Sequence, residues 1–313
     1  MTHSKKAATP TRVKHSKPCG KVDPVGQQGG CLIPILISYH YLRQLPDSEM
    51  TYFAQGGAKE DGFEVMLDSG AFSAKNMGAT IEIDEYMEFV ANYGANFEGG
   101  YVALDVLGEP DKTQNNLETM WSAGLDPMPV HVWGDTARRM DELFERSTKI
   151  CLGGFRRPGR GPAPKEYIVS KMRMAKGRPV HWLGYTNFDM VATLTPHSCD
   201  CVSWKSAKIW GTCMLYRGKG QFTRLRKAEA QVHRYTRSEA AHLEQCGTCE
   251  DQLRDPATWT GNTAPHQRAT TLSWVKYIVE LRREIGTRTF MAISGMTELN
   301  QIKQAMQAIK EHK

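Results

Sequence analysis

Three aspartates in this 313-residue sequence stand where a short apolar run gives way to a loop: Asp68-Ser69-Gly70-Ala71-Phe72, Asp105-Val106-Leu107-Gly108 and Asp200-Cys201-Val202-Ser203-Trp204. A carboxylate at the end of a buried strand is costly unless it is paired, hydrogen-bonded or functional. One such aspartate ordinarily caps the next turn or helix. Three on separate strands, near glycines that let a ligand approach the backbone, point to a shared site. Convergent carboxylates serve two chemistries. One is metal binding through oxygen ligands, for which no Asp-x-Asp clustering speaks. The other is glycosidic displacement, in which one carboxylate attacks an anomeric carbon and another shuttles the proton.

A second constellation lies further on, as His242-x3-Cys246-x2-Cys249-x16-His266. Cys-x2-Cys is the common half of a tetrahedral zinc site, and a histidine on each side completes four ligands. His233 is an alternative to His242. A zinc with four protein ligands is structural, so this spacing predicts Zn2+ closing a subdomain on itself rather than acting in catalysis.

The stretch Gly153-Gly154-Phe155-Arg156-Arg157-Pro158-Gly159-Arg160-Gly161 has the glycines of a phosphate cradle but no Lys-Ser/Thr of a nucleoside-triphosphate loop. It reads as loop backbone plus phosphate-contacting Arg156, Arg157 and Arg160. Phe72, Trp133, Tyr185 and Trp204 fall at the same strand ends and read as stacking walls for a flat base. Cys199, Cys201, His131, His181, Met172 and Met174 read as packing residues.

The elements that must position these groups alternate. Eight short apolar runs, Ile33–Ser38, Glu64–Asp68, Tyr101–Asp105, Pro129–Trp133, Ile150–Gly153, Val180–Gly184, Asp200–Trp204 and Thr289–Ser294, have the composition of strands buried on both faces. Between them, Asp84–Tyr93, Asp111–Ala123, Asp135–Arg146, Pro164–Ala175 and Thr297–Lys310 carry apolar residues at helical spacing. This pattern predicts an α/β fold, a (β/α)8 TIM barrel rather than an open doubly wound sheet, with its chemistry at the C-terminal strand ends. The alternation breaks once, between Trp204 and Thr289. That interval is too long for a plain loop and predicts a zinc-binding insertion between strands 7 and 8, at about 205–268, before a helix near Ala269–Arg283. Residues 1–30 lack apolar periodicity and read as a flexible basic arm, leaving 31–313 as the barrel domain.

Hydrophobic residues make up 40% of the chain and charged residues 24%, which is globular rather than fibrous or disordered. No apolar run approaches the roughly 20 residues that span a bilayer, and the N-terminus carries no apolar signal core. The expectation is a cytoplasmic chain with reduced cysteines. The net charge of +6 is unevenly spread. Residues 1–22 hold Lys5, Lys6, Arg12, Lys14, Lys17 and Lys21 and no acid. Residues 151–237 hold 17 lysines and arginines against Glu166, Asp189, Asp200 and Glu229. A chain polarised this way turns a basic face toward a polyanion.

Taken in order, these pieces resemble the tRNA-guanine transglycosylases. Leu67-Asp68-Ser69-Gly70-Ala71-Phe72 resembles their Asp-Ser-Gly-Gly-Phe/Tyr motif, and Cys151-Leu152-Gly153-Gly154 their Gly-Gly loop after strand five. Cys199-Asp200-Cys201-Val202 resembles their Phe-Asp-Cys-Val strand, with Leu183-Gly184-Tyr185 ahead of it and the zinc pattern behind. The departures are specific. Trp133 stands where those enzymes carry a guanine-reading Gln, Ala71 replaces the second Gly, and Ser73 replaces a following Gln. Lys205 and Lys208 lie near the family's arginines, and two cysteines rather than three remain for zinc. This variant pattern is similar to the DpdA branch, found in bacteriophages and bacterial genomic islands, whose members exchange guanine in DNA for a 7-deazaguanine.

The resemblance implies that Asp200 is the nucleophile at C1′ of the target deoxyguanosine and that Asp68 is the general acid/base. It implies that Asp105 accepts from the guanine edge, that the Gly153–Gly154 backbone meets the base carbonyl, and that Phe72 stacks on the base. The implied activity is that of a pentosyltransferase acting on DNA, with 7-cyano-7-deazaguanine (preQ0) as the incoming base. The implied partners are DNA, with tRNA as the alternative, and either a homodimer mate or an accessory protein that opens the duplex. A silent nucleic-acid-binding barrel is the reading from another class, and the intact aspartate trio speaks against it.

Overall fold

The computed structural model describes residues 32–157, 161–259 and 264–312. The expected basic arm and Arg160 lie outside them. Eight parallel strands form one sheet: β1 (Ile33–Ser38), β2 (Phe63–Asp68), β3 (Gly100–Tyr101), β4 (Val130–His131), β5 (Ile150–Leu152), β6 (Val180–Trp182), β7 (Ser198–Cys201) and β8 (Arg288–Ile293). Their order is β3-β2-β1-β8-β7-β6-β5-β4, so β3 and β4 are the two edges. The chain just past β3 meets the chain just before β4 in a parallel bridge, Val102 to Met128, and Ala103 N–H donates to Met128 O at 2.9 Å. The sheet is therefore strongly curled, with helices against its outer face. This is consistent with a TIM-like barrel.

The two-residue period of a strand sorts the side chains into two cores. Ile35, Ile37, Val65 and Leu67 join the large cluster beneath the helices. Leu36, Met66, Val102, Val130, Cys151, Phe290 and Ala292 form a separate cluster inside the curl. Asp68 continues the inner row of Met66, and Asp200 pairs in register with Phe290. At the opposite end of the same rows, Glu64 is ion-paired with Arg288. The inside of the sheet is thus layered, with an ion pair below, an apolar middle and acids above.

The helices on the flanks run Ile83–Tyr93, Pro110–Ser122, Ala137–Arg146, Lys165–Ala175 and Met296–Glu311, close to the sequence expectation. The third begins two residues later than its apolar pattern. Asp135 turns back to accept from Val132 N–H at 2.8 Å, and Thr136 caps the helix instead. Five helices of six or more residues were not foreseen: Asp47–Ala54, Ala71–Asn76, Phe188–Leu194, Lys227–Val232 and Arg237–Gln245. They are too short for periodicity to reveal. The expected strands 3 and 4 are also longer in sequence than the two-residue ladders observed.

Beyond β7 the chain leaves the sheet. A short helix, Ser206–Trp210, leads into an antiparallel hairpin of Thr212–Gly218 with Gln221–Arg226, and three short helices follow, Lys227–Val232, Arg237–Gln245 and Glu250–Arg254. Cys213, Leu215, Leu225, Ala230, Leu243, Leu253 and Ala269 make a small core of their own here. The helix Pro265–Ile285 then returns to β8, with Pro265 in its first turn. Among the described residues no helix is long and apolar enough to cross a membrane.

Candidate active site

Asp68 ends β2, and the turn after it is built around one glycine. Gly70 has φ +82°, and a Cβ there would lie 2.6 Å from the Cβ of His40 and 2.8 Å from its backbone nitrogen. Close approach of the backbone after β1, not of a ligand, accounts for this glycine. Its N–H donates to Asp68 Oδ2 at 2.9 Å. The neighbouring Ser69 is wholly buried and donates its hydroxyl to Asp105 Oδ1 at 3.2 Å, tying the loops after β2 and β3.

Asp200 belongs to β7 and is buried. Its Oδ1 accepts from Gly184 N–H at 2.8 Å and faces His181 Nε2 at 3.1 Å. His181 Nδ1 lies 2.9 Å from the Ser198 hydroxyl. Register explains the grouping: His181 pairs with Ser198, and Asp200 is two residues further along the same strand face. Burial lowers the His181 pKa, although Asp200 opposes the shift. The neutral imidazole then donates from Nε2 and accepts from Ser198 at Nδ1.

Asp68 feels the other two aspartates. Burial first, then the charges of Asp105 and Asp200, push Asp68 up to about 7, against the backbone N–H groups of Gly70 and Ser69. Burial raises Asp105 as well, with the Ser69 hydroxyl opposing. A carboxyl that keeps its proton near neutrality beside one gripped by two donors has the division of labour of a general acid and a nucleophile.

One wall of the mouth is aromatic. Trp133 stacks on Tyr167 with ring centroids 4.1 Å apart and planes 26° apart. Tyr167 donates its hydroxyl to Gly153 O at 3.1 Å. Gly154, at φ +80°, passes so close that a Cβ would meet Tyr167 Oη at 3.0 Å and Trp133 Cβ at 3.1 Å. Phe72 and Trp133 remain 56% and 44% exposed, leaving apolar surface for a flat ring. Tyr185 is engaged elsewhere, stacked on Phe155 at 5.1 Å. Trp204 is not a rim residue: it is wholly buried, because its indole N–H finds Ala292 O at 2.9 Å.

The basic residues divide. Lys205 is mostly buried, with its ammonium 2.7 Å from Glu298, and the half-exposed Lys208 approaches the same carboxylate at 3.8 Å. The backbone of Arg156–Arg157 pairs with Gly161–Pro162 in a two-residue ribbon; their side chains lie outside the described structure.

The expected zinc ligands share one region but differ in setting. His242 is buried, with Nε2 at 2.9 Å from Ser273 Oγ and 3.0 Å from Ala269 O, and Nδ1 at 3.1 Å from the Lys276 ammonium. In that arrangement it does not fit a cation. Cys246 donates its thiol to Leu243 O at 3.1 Å, and Cys249 is exposed. His266 stacks on Trp259 and keeps a buried Nδ1 with no partner, as a ligand nitrogen would. His233 is bonded to Glu239 at 3.1 Å. Among the described residues no group of three or more His, Cys, Asp or Glu gathers closely enough to hold a metal ion.

Sequence reasoning missed His181, Ser69 and Tyr167. Ser69 was adjacent to a motif residue, and only the pairing of β6 with β7 reveals His181. Tyr167 carried no signal beyond a helix pattern.

No protein-family model matches the chain. A 135-residue stretch is 27% identical to "tRNA wybutosine-synthesizing protein 2/3/4" of Arabidopsis thaliana; it covers 43% of this chain and 13% of that protein. The chain therefore spans about an eighth of the length of this curated relative. A solved structure described as "Structural study of Project ID from Aquifex aeolicus VF5" aligns over 52% of this chain and 80% of its own, at 12% identity and a TM-score of 0.30.

Proposed function

We propose that this chain is a base-exchange transglycosylase that replaces guanine in DNA with a 7-deazaguanine. The observation that carries the reading is that Asp68, its pKa pushed up to about 7 by burial and by the charges of Asp105 and Asp200, shares the mouth with an Asp200 whose Oδ1 is held by two donors. Asp200 attacks C1′ through its other oxygen, forming a C1′–O ester as the C1′–N9 bond breaks. Asp68 gives its proton to the departing guanine. The incoming base yields its N9 proton to Asp68 and attacks C1′, and the carboxylate leaves. Two inversions retain configuration at the sugar, and the ester divides one hard displacement into two easier ones.

Asp105 and the Gly153–Gly154 backbone provide the polar edge for the base, and Phe72 and Trp133 the apolar faces. The target nucleotide has to leave the duplex stack for its C1′ to reach a buried carboxylate. The replacement of a guanine-reading Gln by Trp133, with the other departures from the tRNA enzymes, supports DNA as the polymer, and preQ0 is the base that the resemblance implies. A second reading, tRNA as the polymer, draws on the partial likeness to a protein named for tRNA wybutosine synthesis.

Zinc belongs to the same proposal. Cys246, Cys249 and His266 would hold it, with His242 as fourth ligand only after giving up Ser273 and Ala269. Its role there is structural, in the host cell's cytoplasm if the chain is phage-encoded.

The deciding experiment incubates the protein with radiolabelled preQ0 or guanine and either DNA or total tRNA, with Asp200→Ala as control. Label entering DNA and absent in the variant is the expected result. Label entering tRNA alone moves the polymer to RNA, and no label in either overturns the enzymatic reading.

A further inference from the structure

We infer that the groove between the loop after β6 and the hairpin Thr212–Arg226 seats the single-stranded nucleotides flanking the exchanged base. This rests on the base-exchange reading for its register, but not for its chemistry. The groove has a volume of about 720 Å³ and is lined by Tyr185, Trp210, Met214, Lys219, Phe222 and Arg224, among others. It shares Gly184 with the catalytic mouth: the Gly184 N–H holds Asp200, and the same residue lines the groove.

Its composition selects the occupant. Trp210 ends a short helix with 57% of its surface exposed, and Ile209 beside it is 49% exposed. A large indole left in water next to a reacting centre is a stacking surface, and every nucleobase offers a face to it. Strand register supplies the charge. Arg224 lies directly opposite Met214, on the face that lines the groove. Among the described residues neither Arg224 nor Lys219 is ion-paired, whereas Lys205 and Lys208 both meet Glu298.

From Cys201 to Ala228 the chain holds seven lysines and arginines and no acid. Asp189 is the acid lining the groove, and Glu280 binds the backbone N–H of Lys219 at the hairpin turn. The carboxyl groups of the mouth offer a phosphodiester strand no counter-charge, so its phosphates need a basic track beside them. The hairpin provides it. An acidic peptide would satisfy the cations but leave the exposed indole unused.

The test measures fluorescence anisotropy of a labelled single-stranded DNA of about ten nucleotides over a salt series. It uses the full chain, Trp210→Ala and the double variant Lys219→Gln/Arg224→Gln, with polyglutamate as a second probe. All three side chains are exposed, and circular dichroism checks the fold. Trp210→Ala is expected to weaken DNA binding about tenfold with an unchanged salt slope. The double variant should reduce that slope by about 1.4, or 0.7 per phosphate contact on a single strand. Unchanged affinity in both variants overturns the inference, as does polyglutamate binding with equal strength and equal losses. Labelled-base transfer is assayed in parallel. If the full chain transfers no base yet the variants lose DNA, base exchange falls and the groove stands. If transfer is intact and DNA binding unchanged, the groove alone falls.

Discussion

His181 and Asp200 are joined at 3.1 Å inside the curled sheet, and the amide of Gly184 reaches the same Asp200 oxygen at 2.8 Å. One carboxylate oxygen therefore carries two donors, while the other has no hydrogen bond among the described residues. Gripping one oxygen fixes the plane of the carboxylate and leaves the other to react. A carboxylate only accepts, so Asp200 fixes the imidazole proton on Nε2, and the Ser198 hydroxyl behind the ring, 2.9 Å from Nδ1, donates to it.

His181→Leu is expected to lower kcat for base exchange by about 10²-fold with little change in KM. His181→Gln, which restores a donor near the Nε2 position, should recover most of the loss. Equal losses in the two variants would reduce His181 to a packing residue.

Asp68 makes stability depend on pH. Its folded pKa is raised from 3.8 to about 7, so the folded state holds the proton more tightly than the unfolded one. The stabilisation is complete below the unfolded value and is lost as pH rises through about 7. Asp105 shifts in the same direction and adds to the trend. From pH 4 to 8 the melting temperature of Asp68→Asn should rise relative to that of the parent chain, while the buried histidines, whose lowered pKa values make stability rise with pH, act alike in both. An identical profile in the variant would contradict the raised pKa of Asp68.

Trp133→Ala removes the partner of Tyr167. The expected outcome is a rise in KM for the free base of up to about tenfold, from about 0.5–1.5 kcal/mol of lost ring contact, with kcat largely kept. Tyr167→Phe frees Gly153 O and should cost about 1 kcal/mol in urea unfolding. No change in KM for Trp133→Ala would place the base elsewhere.

Zinc is tested by content and by stability together. The purified chain is expected to hold about one zinc, and Cys246→Ser/Cys249→Ser to hold none and melt at a lower temperature. A metal-free parent chain whose melting temperature ignores chelators would remove zinc from the structure.

Much of the frame was legible in the residues. Each of the eight apolar runs overlaps one of the eight parallel strands, the third by Tyr101 alone and the seventh by Asp200 and Cys201, because a strand buried on both faces leaves a near-continuous hydrophobic signature. Asp68 and Asp105 could be placed at strand ends, and Asp200 with them, because a carboxylate against an apolar run is conspicuous. Less legible was anything made by neighbours far apart in sequence. Trp204 read as a stacking wall and is core, since an aromatic at a strand end looks alike whether it turns inward or out. Lys205 read as a phosphate contact and is bonded to Glu298, 93 residues away.

The sequence by itself determined the elements, their alternation, the break after β7 and the acids at the strand ends. Those properties are local: they depend on side-chain period, composition and the residue types that begin or stop an element. Only the tertiary structure decided that Asp105 and Asp200 stand close enough to raise Asp68, that His181 serves Asp200, and that Trp210 remains in water beside a basic hairpin. These follow from strand register and from the curl of the sheet, which bring distant residues into one low-dielectric space. A shifted pKa and a gripped carboxylate exist only once that space is formed.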